Sequence, residues 1–99
     1  MLAVLPNKSA GFSVAMPSEA AAGTLVPIEI TADNRHHVWL MTVDYPLVGN
    51  LLHYRKIQST DGGCRLTLPL ALSDSGATLN VTIRDSVTGE SKTLKLAVN

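Results

Sequence analysis

The chain has 99 residues, 45% of them apolar, with eight basic and eight acidic side chains, three histidines and one cysteine. Its mean hydropathy is +0.19. That length suits one domain, residues 1–99, with enough apolar residues to exclude disorder as the default. Balanced charge without a run of either sign excludes counterion-driven nucleic-acid binding. No apolar run approaches the ~20 residues of a membrane span.

One cysteine leaves the fold without an internal disulfide. The opening Met1-Leu2-Ala3-Val4-Leu5-Pro6 has no cationic flank and is too short for the core of an export signal. Residues 1–9 read as a short apolar strand or arm. Phe12, Val14 and Met16 then alternate with Ser13 and Ala15, the period of a half-buried strand. Pro17-Ser18-Glu19 stops it, and Ala20-Ala21-Ala22-Gly23 is too short for an independent helix, so it reads as a loop with at most one helical turn.

From Thr24 to Thr31, Val26, Ile28 and Ile30 face one way while Pro27 and Glu29 face the other. Proline has no N–H for a ladder, so Pro27 belongs at a strand start, at a bulge, or with its nitrogen toward solvent. After the polar turn Ala32-Asp33-Asn34-Arg35 comes His36-His37-Val38-Trp39-Leu40-Met41-Thr42-Val43-Asp44-Tyr45-Pro46. This stretch is too apolar on both faces for an edge. It is expected to be a central strand with Trp39 as the core anchor.

Val48-Gly49-Asn50 is a turn, and Leu51 to Gln58 is a strand of mixed faces, which fits a sheet edge where charges discourage pairing. Asp61-Gly62-Gly63 signals another turn. Cys64, Leu66, Leu68, Leu70 and Leu72 form a five-residue apolar face, with Pro69 marking a bulge or an edge. Ser73-Asp74-Ser75-Gly76 turns the chain again. Leu79, Val81 and Ile83 alternate with polar residues, and Ser86 to Gly89 closes a hairpin onto Thr93–Val98.

Seven or eight mostly antiparallel strands at 8–12-residue spacing, with no convincing helix, indicate an all-β, immunoglobulin-like β-sandwich. Val26-Pro27-Ile28-Glu29-Ile30, His37-Val38 at the head of a long strand, Leu70-Ala71-Leu72-Ser73 and Thr82-Ile83-Arg84-Asp85 before Gly89 carry a further likeness. In these features the chain resembles bacterial immunoglobulin-like modules, among them the sandwich subunits of Sox-type sulfur-oxidation carriers. The resemblance spans about three-quarters of the chain at the level of strand pattern. The carrier hallmark is a cysteine in a mobile, glycine-rich C-terminal tail. Here Gly62-Gly63-Cys64 is internal and runs into a strand, while the sequence ends Ala97-Val98-Asn99. No carrier residue transfers.

Chemistry is sparse. There is no nucleophile elbow, metalloprotease motif, paired cysteine or phosphate-cradling glycine loop. The chain is therefore not expected to be an enzyme or to need a cofactor. Adjacent strand residues point to opposite faces, so His36 and His37 cannot readily share a metal. Type-one copper needs cysteine, two histidines and a weak axial methionine, yet no histidine follows Cys64. Cys64 is in phase with Leu66 and Leu68 and reads as a small buried hydrophobe. Asp33, Asp44, Asp61, Asp74 and Asp85 fall near strand ends, as expected of residues that favour turns.

The expected function is a non-catalytic interaction or structural module of a secreted, periplasmic or surface protein. It would contact a protein partner, or itself, through an edge strand, with Tyr45, His53, Tyr54 and Arg55 as the binding residues, since Tyr and Arg dominate hot spots. The alternatives are a small metal-binding or redox sandwich using His36 or His37, His53 and Cys64, and an auxiliary β-domain of a larger enzyme.

Overall fold

The computed structural model describes residues 11–44 and 54–99, with Tyr54 described by its backbone alone. Eight strands run through them: β1 (Phe12–Ala15), β2 (Glu19–Ala20), β3 (Leu25–Ala32), β4 (His36–Asp44), β5 (Tyr54–Asp61), β6 (Cys64–Pro69), β7 (Thr78–Asp85) and β8 (Ser91–Val98). They form a three-stranded sheet in the order β1-β3-β6 and a five-stranded sheet in the order β2-β8-β7-β4-β5. All pairings are antiparallel except β2 with β8. The all-β sandwich read from the alternation is the observed fold. Among the described residues no helix is long and apolar enough to cross a membrane.

One core joins the two sheets. Val26, Ile28, Ile30, Leu66, Leu68 and Leu70 come from the three-stranded side, and Trp39, Met41, Val43, Leu79, Val81, Ile83, Leu96 and Val98 from the five-stranded side. Apart from Leu70, which follows β6, each lies at a period-two position of its strand, because a one-residue slip would turn the whole apolar set to solvent. The strand β4 is paired on both sides, by β5 and β7, which is the central place expected of it. Its Trp39 is 0% exposed.

The two strand prolines sit where a donor is not needed. Leu70 N–H donates to the Thr24 carbonyl, and the register sets Leu25 opposite Pro69 and Pro27 opposite Thr67. In an antiparallel ladder bonded and non-bonded pairs alternate, so both prolines occupy non-bonded pairs between β3 and β6. Pro69 therefore aims its nitrogen off the free edge of β6. Pro27 aims its nitrogen toward β1, which ends at Ala15 opposite Glu29 and does not reach it.

Two expectations change. Glu19–Ala20 is not part of a loop: it forms β2, held parallel to β8 by Ala97 N–H to the Ser18 carbonyl and Asn99 N–H to the Ala20 carbonyl. The five-residue apolar face from Cys64 stops at Leu70. Leu72 enters a short 3-10 turn (Leu72–Asp74) and is 80% exposed, because Asp74 accepts the Ala71 N–H and curls the chain away from the sheet. The turn expected at Asp61-Gly62-Gly63 is present, but it joins strands of different sheets, β5 and β6. It carries the chain across the sandwich, with Gly62 at φ +87° and Gly63 against the Ile30 backbone. The strand or arm expected over residues 1–9 and the turn expected at Val48-Gly49-Asn50 lie outside the described residues.

Candidate functional site

The long edge of the five-stranded sheet is β5. Its bonding phase follows from its neighbour. Ser86 N–H donates to the Val38 carbonyl, so Val38, Leu40 and Thr42 turn their main-chain groups toward β7. His37, Trp39, Met41 and Val43 then bond Thr60, Gln58, Lys56 and Tyr54 of β5. The main-chain groups of Arg55, Ile57 and Ser59 consequently point off the edge, and among the described residues no strand pairs with them. Their side chains share the sheet's outer face, where Ile57 lies opposite the half-buried Leu40 and is 63% exposed.

The other sheet edges are less available. The strand β1 has four residues, β2 has two, and β6 has six, of which Pro69 lacks a donor. Eight residues make β5 the longest exposed edge among them.

Of the four predicted binding residues, Tyr45 and His53 lie outside the described residues. Tyr54 opens β5 opposite Val43, and Arg55 follows opposite Thr42 with an exposed side chain. Sequence reading missed Ile57 as part of this surface. Its place among the charged and polar neighbours Arg55, Lys56 and Gln58 is the signal that could have found it, since an isolated β-branched residue on an edge is unusual company.

A second cluster lies at one end of the core. The His37 ring, 2% exposed, sits between two carboxylates: Nδ1–H donates to Asp85 Oδ2 at 2.7 Å and Nε2–H to Asp33 Oδ1 at 3.0 Å. An ionised carboxylate only accepts, so both bonds are made together when both ring nitrogens carry protons and the ring is an imidazolium. Burial alone would lower its pKa, but the hydrogen bonds it donates to Asp85 and then Asp33 outweigh that and raise it. Burial pushes Asp85 the other way, yet the His37 hydrogen bond and the Val87 N–H hold it below its usual value. Asp33 is held low mainly by the Arg35 side chain, then by the Arg35 N–H, and also by His37.

The imidazolium stacks on Trp39, centroids 4.8 Å apart, and Phe12 meets the same indole edge-on at 5.1 Å. The indole N–H donates to Thr60 Oγ1, which donates on to the Gly62 carbonyl, each at 2.9 Å. The network thus ties the Asp33–Arg35 turn, β4, β5 and the β7–β8 hairpin to one aromatic centre. While it is formed, His37 has no free lone pair with which to take a proton or hold a metal.

The residues of the metal alternative are separated. His36 is exposed on the outer face, bonding Asp61 and Ser59, while Cys64 lies on the other sheet opposite Ile30. His53 is outside the described residues. Burial pushes the Cys64 thiol up, the reverse of what a reactive thiolate needs. Among the described residues no three His, Cys, Asp or Glu side chains form a group that could hold a metal ion.

No family model matches the chain, and no curated protein matches it. It is similar to the solved structure of the sulfur carrier protein SoxY from Chlorobium limicola f thiosulfatophilum, at 14% identity and a TM-score of 0.47. The match covers 92% of this chain and 81% of that one. This is a likeness of strand arrangement, and no residue's role passes across it.

Proposed function

We propose that the chain is a non-catalytic interaction module that recruits a protein by β-strand addition at the β5 edge. The observation that carries this reading is the outward-pointing main chain of Arg55, Ile57 and Ser59 beside the exposed Ile57 side chain. Main-chain bonds to an added strand supply affinity, and side chains flanking it supply selectivity. Tyr45, His53, Tyr54 and Arg55 belong to the same proposal as the flanking contacts, as does a periplasmic or extracellular setting.

The Ile57 N–H points off the edge, so Ile57→Pro deletes one docking donor without removing a β4–β5 ladder bond. Proteins captured by the wild-type chain from its native extract are compared with those captured by Ile57→Pro and Arg55→Ala at matched melting temperature. Loss of a specific captured protein with both variants supports edge docking. An unchanged set of captured proteins removes it.

A further inference from the structure

We infer that the β5 edge pairs with a second copy of itself, antiparallel, about a two-fold axis through Gln58. The inference rests on the edge-docking reading and names the partner. Only pairings that set Arg55, Ile57 and Ser59 against one another bring outward-pointing groups face to face. Among those registers the charges discriminate: centred on Ile57, Arg55 faces Ser59, and centred on Ser59 it faces Gly63, so neither register gives the guanidinium a carboxylate. Centring the axis on Arg55 sets two guanidinium groups against each other, and centring it on Lys56 opposes two ammonium groups. Like charges directly opposite destabilise a sheet.

Centred on Gln58, the register closes within residues 55–61. Arg55 meets the partner's Asp61, Lys56 meets the partner's Thr60, and Ile57 meets the partner's Ser59, each twice by symmetry. Arg55 and Asp61 both project from the outer face, so the two ion pairs form on one side of the joined sheet. The two Ile57 side chains become diagonal neighbours across the axis, within reach of each other. Asp61 is 80% exposed and among the described residues accepts only from His36 Nδ1, at 3.1 Å, which leaves lone pairs for a guanidinium. The result is an isologous, closed contact, the commonest symmetry of soluble oligomers, and it joins two five-stranded sheets into one.

The test is register-specific. At the axis the two Gln58 residues form a non-bonded antiparallel pair, with Cα atoms ~4.5 Å apart, inside the range a disulfide spans. In a Cys64→Ser background, Gln58→Cys is expected to oxidise to a covalent dimer, whereas Ile57→Cys, displaced diagonally, is not. Arg55→Asp or Asp61→Arg alone should raise the dimer dissociation constant about tenfold, by analytical ultracentrifugation. The charge swap Arg55→Asp/Asp61→Arg should restore it.

A wild-type protein that sediments as a monomer at about 100 µM overturns self-pairing. The edge reading would then still stand or fall on the Ile57→Pro capture. Cross-linking through Ile57→Cys rather than Gln58→Cys overturns the register, as does a charge swap that fails to restore the dimer.

Discussion

His37 Nδ1 and Asp85 Oδ2 lie 2.7 Å apart although 48 residues separate them, and both side chains are 2% exposed. The pair closes the hairpin end of the core. Its Asp85 side chain also accepts the Val87 N–H at 3.0 Å, so one carboxylate both shapes the turn after β7 and meets the charge on β4.

The pair makes stability depend on pH in a defined way. His37 is raised above its usual 6.5 in the folded state, so its contribution is fully present below about pH 6.5 and is lost as pH rises through the folded value. Asp33 and Asp85 are lowered from 3.8, so theirs is present above that value and is lost as pH falls through the folded values. The network stabilises most between about pH 4 and 6.5. Thermal melts should therefore fall from pH 6 toward pH 9, and His37→Gln should flatten that limb. Parallel wild-type and variant curves would contradict the assignment.

Removing one partner strips a buried group of its closest opposite charge, leaving His37 only the half-exposed Asp33 or Asp85 the Val87 N–H. Asp85→Ala should cost about 3–5 kcal/mol in denaturant unfolding. His37→Leu leaves Asp85 with its Val87 bond, and the double variant should fall short of the summed losses by about 1–3 kcal/mol. Additive losses would show that the pair is not coupled.

What the chain order discloses depends on the range of the interaction. Alternation exposed β3, β4, β7 and β8 because each buries one face, and it placed the edge at β5 through that strand's mixed faces. The same periodicity sets His37 in phase with Trp39 and Met41, and Asp85 in phase with Val81 and Ile83. Both were therefore inward-facing on pattern alone, yet a carboxylate beside a turn reads as solvated until its partner is known. Two-residue β2 carries no period of its own and exists only by pairing with β8. Leu72 continues the period of β6 but not its path, because Asp74 ends the strand from beyond it.

Gly62 and Gly63 should respond differently to alanine. Gly62 has φ +87° and ordinary space around an added Cβ, so Gly62→Ala should cost about 1–2 kcal/mol of backbone strain. At Gly63 an added Cβ would stand 2.0 Å from the Ile30 carbonyl oxygen and 2.9 Å from its carbon. Backbone cannot rotate away as a side chain can, so Gly63→Ala should lose about 3 kcal/mol or more. Equal losses in urea unfolding would argue that the crossing between sheets is looser than the structure shows.

Trp39 joins the buried imidazolium, the Phe12 edge and, through Thr60, the carbonyl of Gly62. Trp39→Ala should cost about 3–5 kcal/mol from lost burial and the cavity it leaves. Trp39→Phe keeps most of the apolar volume but deletes the indole N–H and leaves Thr60 without its donor, so about 1–2 kcal/mol should go with it. The indole also faces the His37 charge, a contact that weakens as the ring deprotonates. The Trp39→Phe deficit should therefore be larger at pH 5.5 than at pH 9. A pH-independent deficit would separate the stacking from the charge and leave Trp39 as packing only.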